Sequence, residues 1–149
     1  MPAPIVTCTN CGTRNRIRSQ PEGVPRCSVC QTPLPWIVDA DATSFDSEIV
    51  ASVPVFVDFW APWCAPCRMV SPAVERLARD HAGKLKVVKL DIDRAPQIAA
   101  RYDAQSIPLL VLLRDGQEVD RMVGAVPEPA LRRWLEERLA PTAEVKPGS

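Results

Sequence analysis

Apolar residues from Trp36 onward recur with two alternating periods, one suited to strands and one to helices, whereas the first 35 residues show neither. A short strand is expected over 36–39, and Thr43 or Ser44 can cap a helix that runs through Val50. Residues 53–60, VPVFVDFW, form a nearly continuous β-branched run of the kind found in a central strand covered on both faces. After WCAPC a helix runs to about Asp80, with Pro72 in its interior removing one backbone hydrogen bond, and Gly83 ends the segment. Another strand is expected over 85–92, a short helix over 95–102, and a hairpin from 109–113 and 118–123 that turns at Asp115-Gly116. Pro108 falls immediately before an apolar strand, a place where proline can start a strand but not occupy its middle. The final helix, 127–140, puts Ala130, Leu131, Trp134, Leu135 and Leu139 on one face, and residues 141–149 read as a flexible tail. The resulting order, β, α, β, α, β, α, β, β, α, belongs to the α/β class.

A chain of 149 residues can hold one domain of about 100 residues with its own core and one small satellite module. With 46% hydrophobic and 24% charged residues the composition is that of a globular protein. Eighteen basic residues balance eighteen acidic ones, which removes any global electrostatic argument for a nucleic-acid or membrane partner. No apolar run approaches the roughly 18 residues of a membrane helix, and the start, MPAPIVTCTNC, lacks the apolar stretch of a signal peptide. A cytoplasmic location is therefore expected.

In that compartment cysteines serve metal binding or redox catalysis more readily than structural disulfides. Residues 1–35 hold four cysteines, two glycines and six prolines but few large apolar side chains, so something other than a hydrophobic core must order them. Cys8, Cys11, Cys27 and Cys30 form two CxxC pairs with fifteen residues between them, the spacing of a four-thiolate zinc site. Four protein ligands leave no position for water, so the expected zinc is structural, one per chain; a further role in which oxidation ejects the metal stays open. Up to Pro35 four arginines face one glutamate. With no aromatic residue before Trp36, a solvated face or an acidic protein partner explains them better than nucleic acid does.

Cys64 and Cys67 stand apart, in WCAPC, where a strand hands over to a helix. Three residues apart, they share a face and can form a disulfide. At the helix amino terminus unpaired N–H groups favour thiolate, which makes Cys64 the nucleophile; Cys67, one turn deeper, is expected to be less exposed and to resolve the mixed disulfide. The alternatives, half of a zinc site or two core cysteines, do not explain this placement. Strand alternation puts Phe56, Asp58 and Trp60 on one side and Val55, Val57 and Phe59 on the other, which drives the Asp58 carboxylate into an apolar layer. Desolvation should raise its pKa and make it an acceptor for the Cys67 proton, unless it sits at a solvated strand end. Lys89 can reach Asp58 if their strands are adjacent, or can be an ordinary snorkelling lysine. His81, beside Gly83, suits a helix C-terminal cap and is given no catalytic role.

The stretches VDFWAPWCAPC, CRMVSPAVERLA, VVKLDID, SIPLLVLL, DGQEV and VGA resemble the thioredoxin family in order and spacing over 36–140. The CxxC extension over 1–35 resembles the zinc ribbon of the second type of bacterial thioredoxin. The resemblance implies a thioredoxin fold, a central mixed sheet flanked by helices, with a small zinc-ribbon module in front. It implies a reductase of protein disulfides with Cys64, Cys67, Asp58 and Lys89 as catalytic residues. It also implies that Pro108 is cis and packs against the disulfide, that Ile107 offers backbone hydrogen bonds to an extended substrate, and that Trp60, Trp63, Pro66, Gly124 and Ala125 complete the docking surface. Its implied partners are disulfide-bearing target proteins and an NADPH-dependent thioredoxin reductase, with no bound organic cofactor and the chain a monomer. Two residues depart from the family's habit: Ala65 replaces a glycine, and Leu109 replaces a threonine and is expected to make the substrate surface more apolar. A different class, a zinc-dependent adaptor with incidental redox turnover, is weakened by the presence of both Cys64 and Cys67.

Overall fold

The strand-forming runs lie side by side, and residues of the intervening helices cover both faces of the sheet they make. The computed structural model describes residues 5–17 and 23–140; the expected tail over 141–149 lies outside the described residues. In chain order the elements are β1 (Ile5–Thr7), β2 (Arg14–Arg16), β3 (Ile37–Ala40), α1 (Phe45–Glu48), β4 (Val55–Trp60), α2 (Ala65–Asp80), β5 (Lys86–Asp91), α3 (Pro96–Arg101), β6 (Leu109–Arg114), β7 (Gln117–Val123) and α4 (Glu128–Leu139). Strands β3 to β7 form a five-stranded sheet in the order β3-β5-β4-β6-β7. Parallel pairing joins β3, β5 and β4, whereas β6 and β7 run antiparallel, which makes the sheet mixed as expected. Among the described residues no helix is long and apolar enough to cross a membrane.

The period of two along β4 divides the core. Val55, Val57 and Phe59 pack with Val88, Leu90, Val111, Phe45 of α1 and Ile98 of α3. Phe56, Val87, Leu110 and Leu112 meet Val70, Val74 and Leu77 of α2 and Leu131 and Leu135 of α4. Because β4 is central, its first five residues are buried. Its far end lies level with the start of β6 and the end of β7: Phe59 opposes Leu109, and Leu109 opposes Val123. The strand-to-helix junction, Pro108 and Gly124 are thereby brought to one end of the sheet.

Three expectations change. Ser44 stands at the α1 N-cap but makes no capping bond; its Oγ accepts from the Asp41 N–H at 2.9 Å, while Asp41 Oδ1 accepts the N–H groups of Thr43 and Ser44. The cap is spent on this turn, and the helix stops at Glu48 instead of continuing through Val50. Leu109 is 1% exposed and belongs to the core with Phe59 and Val111, so it adds nothing to the substrate surface. Finally, β1 and β2 form an antiparallel pair, Val6 opposite Asn15, in a stretch with no strand periodicity.

The amino-terminal segment packs on a cluster of its own: Cys8, Ile17, Cys27, Leu34 and Trp36, bordered by Val38, Ala51 and Val53 from the larger body. The fully buried Lys86 lies under this seam. Its ammonium donates to Glu48 Oε1 at 2.8 Å and to the Glu48 carbonyl at 2.6 Å, and it sits 4.6 Å from the centroid of the Trp36 ring.

Candidate active site and four-cysteine centre

At the end of β4 the chain turns through Ala61-Pro62-Trp63 into α2, with Cys64 as the helix N-cap and Pro66 in the first turn. Cys64 and Cys67 are disulfide-bonded, their Cα atoms 5.3 Å apart. Cys64 Sγ accepts the Cys67 N–H at 3.2 Å, so the sulfur occupies the place where a helix amino terminus stabilises negative charge. In this disulfide form the two residues are buried alike, at 4% and 3% exposure. Exposure does not distinguish the two sulfurs; the capping contact does.

Behind the disulfide a cavity of about 250 Å³ is lined by Asp39, Asp58, Trp60, Cys67, Arg68, Ser71 and Lys89. Asp58 is 1% exposed, and neither carboxyl oxygen has a hydrogen-bond partner among the described residues. Burial pushes its pKa up to about 6; the Lys89 ammonium pulls the other way, and the Glu75 carboxylate adds to the rise. Asp58 and Lys89 are direct partners across the parallel β4–β5 pair, as adjacency of the two strands required. The Lys89 ammonium nevertheless donates to Ser71 Oγ at 2.6 Å and to Glu75 Oε2 at 3.3 Å. Sequence reasoning missed Ser71 and Glu75. Their spacing held the signal, since Cys67, Ser71 and Glu75 fall on one face of α2 at intervals of four.

Trp60 and Ile107 pack against the cluster of Ala61, Cys64 and Cys67. The Ile107–Pro108 bond is cis, and Pro108 is buried, its carbonyl accepting the Gly124 N–H at 2.8 Å. Gly124 takes φ +99°, a conformation suited to glycine, and Ala125 and Pro66 are exposed. Trp63 is 65% exposed, its indole N–H donating to Asp93 Oδ2 at 2.9 Å. All the residues expected to form a docking surface thus lie at the end of the sheet that carries the disulfide. His81 stands at the α2 C-cap with Nδ1 2.9 Å from the Leu77 carbonyl, in the capping place expected of it.

The two amino-terminal CxxC pairs fold into matching knuckles. Each first cysteine donates its N–H five residues on, Cys8 to Thr13 and Cys27 to Thr32, and accepts from the residue four on, Gly12 and Gln31. Gly12 and Gln31 both take positive φ, 79° and 68°, as the tight turn requires. Thr13 Oγ1 lies 3.1 Å from Cys11 Sγ, and Thr32 Oγ1 3.1 Å from Cys30 Sγ, so the repeated unit is CxxCxT. The four sulfurs lie within 4.8 Å of one another, with Cys8–Cys30 at 3.7 Å and Cys11–Cys27 at 3.5 Å. A tetrahedron of 2.3 Å zinc–sulfur bonds has edges of about 3.8 Å, so these residues fit such an ion. Hydrogen bonds from the Asn10 amide and from Thr32 draw the Cys30 thiol down to about 5, while the Cys11 thiol of the same cluster is raised.

Comparison with known proteins agrees with this geometry. The family model described as Thioredoxin matches residues 36–137. Thioredoxin 1 of Nostoc sp. is 51% identical over 98 residues, covering 65% of this chain and 92% of that protein. The thioredoxin of Synechocystis sp. is 48% identical over 106 residues, 70% of this chain and 96% of that protein, and one from Staphylococcus aureus is 46% identical over 103 residues, 69% and 95%. With the family model matched over residues 36–137, a disulfide at the amino end of α2 and relatives at this level of identity, the chain belongs to the thioredoxin family and is a thiol–disulfide oxidoreductase whose redox pair is Cys64 and Cys67.

Proposed function

We propose that the protein reduces disulfides in cytosolic target proteins, with Cys64 attacking and Cys67 resolving. The observation that carries this reading is the Cys64 sulfur at the α2 N-cap accepting the Cys67 N–H, above the cavity that Cys67 shares with Asp58. In the reduced protein the Cys64 thiolate attacks one sulfur of a target disulfide, and the other target sulfur leaves with the electron pair. Asp58 takes the Cys67 proton. The resulting thiolate then bonds to Cys64 as the mixed disulfide breaks, releasing the second target sulfur; two electrons have passed to the target. Trp60, Trp63, Pro66, Ile107, Pro108, Gly124 and Ala125 dock an extended segment of the target, and an NADPH-dependent thioredoxin reductase restores the dithiol. Lys89 acts beside Asp58 as its cationic neighbour.

Residues 1–35 form a zinc ribbon like that of the second type of bacterial thioredoxin, and 36–140 the thioredoxin domain. Cys8, Cys11, Cys27 and Cys30 hold one structural zinc, which fastens two turns that few apolar side chains could order. The chain works as a cytoplasmic monomer. Trapping tests the order of attack: Cys67→Ser should accumulate mixed disulfides with target proteins and Cys64→Ser none, while insulin reduction is lost in the latter. Equal trapping by both variants overturns the assignment.

A further inference from the structure

Asp58 and Lys89 are paired across adjacent strands on one face of the sheet, yet the ammonium bonds elsewhere and both Asp58 oxygens lack hydrogen-bond partners among the described residues. An aspartate in direct contact with an ammonium is held ionised and is a poor proton acceptor near neutral pH. What keeps the ammonium away is the face of α2 that carries the resolving cysteine. Ser71 Oγ lies 2.6 Å from Lys89 Nζ, Glu75 Oε2 lies 3.3 Å from the same atom, and Ser71 Oγ is 3.4 Å from Glu75 Oε2. Four residues before Ser71 stands Cys67, on the same cavity wall.

We propose that Ser71 and Glu75 are positioning residues for the exchange reaction, holding the Lys89 ammonium on the helix side of the cavity so that the buried Asp58 carboxyl keeps its affinity for the Cys67 proton. This rests on the reading of Asp58 as the acceptor of that proton. The groups around Asp58 are Lys89 from β5, Asp39 from β3, and Cys67, Arg68 and Glu75 from α2. Of these, Lys89 is the cation set directly opposite Asp58 in the strand pairing. If Ser71 and Glu75 release it, the ammonium can swing to Asp58, and the carboxyl loses proton affinity. Glu75 adds its own negative charge to the same end; Ser71 carries no charge and acts through Lys89 alone.

The test reads the Asp58 carboxyl directly. In the full-length reduced protein, carbon-detected nuclear magnetic resonance of the Asp58 carboxyl gives its titration midpoint, and rapid mixing with a disulfide peptide gives the rate of the resolving step across pH 6 to 8. Ser71→Ala and Glu75→Gln should both lower the midpoint, and each should slow resolution at pH 7 by roughly two- to fivefold, as expected for a weaker base. Glu75→Asp, which keeps the charge, should restore most of the wild-type midpoint. An unmoved midpoint in Ser71→Ala overturns the proposal, because that change removes position without removing charge. A lowered midpoint with an unmoved rate profile, and full speed in Asp58→Asn, supports the positioning and instead overturns the role of Asp58 as proton acceptor.

Discussion

At Asp58 the proposed role of proton acceptor is set against stability. Its folded-state pKa of about 6 lies above the ordinary 3.8, so the folded protein binds this proton more tightly than the unfolded chain does. The associated stability is fully present below about pH 3.8 and is lost as pH rises through about 6. Integrated over that window, the buried charge costs about 3 kcal/mol at neutral pH. Asp58→Asn removes the charge with little change of size, so the variant should gain stability over wild type as pH climbs from 4 to 7, by up to about 3 kcal/mol, less the cost of an unbonded amide. Turnover should fall most near neutrality. Urea unfolding at several pH values checks the first part and insulin reduction the second; a stability difference that does not vary with pH removes the account of Asp58 as a strained, desolvated carboxylate. The burial of Asp58 was legible in VPVFVDFW because a period of two sends it to the same face as Phe56. Where the Lys89 ammonium goes was not, since its partners lie 14 and 18 residues away on a helix whose rotation about its axis only packing decides.

Elements that bury a continuous apolar face were read closely: β4, β5, β6 and α4 each lie within two residues of expectation, and α2 ends at Asp80 as expected but starts three residues earlier, inside WCAPC. Those that local hydrogen bonds shape were not. α1 is one turn long because Asp41 and Ser44 satisfy each other, and β1 and β2 exist beside cysteine knuckles without hydrophobic alternation. Gly83, expected only as a stop after α2, proves to be a contact point with Pro33 of the amino-terminal segment. It takes φ +87°, and a Cβ there would lie 2.9 Å from Pro33 Cβ. Gly83→Ala therefore incurs a left-handed backbone cost of about 1–2 kcal/mol and also pushes the amino-terminal module off its seat, for a loss of about 2–3 kcal/mol. Gly116→Ala is the matched control, with φ +77° and open space around the new methyl, and should lose only the backbone part. Equal losses in the two variants, measured by urea unfolding, exclude the Pro33 contact as a constraint.

Across the whole molecule, two chemistries occupy separate clusters that share no residue. Cys64 and Cys67 pack with Ala61, Trp60, Ile92 and Ile107, whereas Cys8 and Cys27 pack with Ile17, Leu34 and Trp36. That separation was legible in the spacing of the six cysteines. The seam was not: Trp36, expected to begin the larger body, lies in the amino-terminal cluster, and Val38, Ala51 and Val53 border it from the other side. Two ways of disabling the amino-terminal module therefore differ. Deleting residues 1–35 uncovers Trp36 and its apolar neighbours and should leave an active but aggregation-prone body. If the four cysteines hold zinc as proposed, withdrawing it with a chelator, or replacing Cys8, Cys11, Cys27 and Cys30 by serine, leaves the covering chain in place and removes only what fastens it. Zinc binding to such sites supplies roughly 10 to 16 kcal/mol, enough to order a module with so small a core. Amide protection should then vanish from β1, β2 and both knuckles but persist in β4 and α2, while insulin reduction stays within about twofold of the metal-loaded protein, because the disulfide cluster shares no residue with the four-cysteine cluster. A metal-free protein that keeps the protection of β4 and α2 yet no longer reduces insulin would place the zinc among the groups that catalysis requires, and would end its assignment as a structural ion.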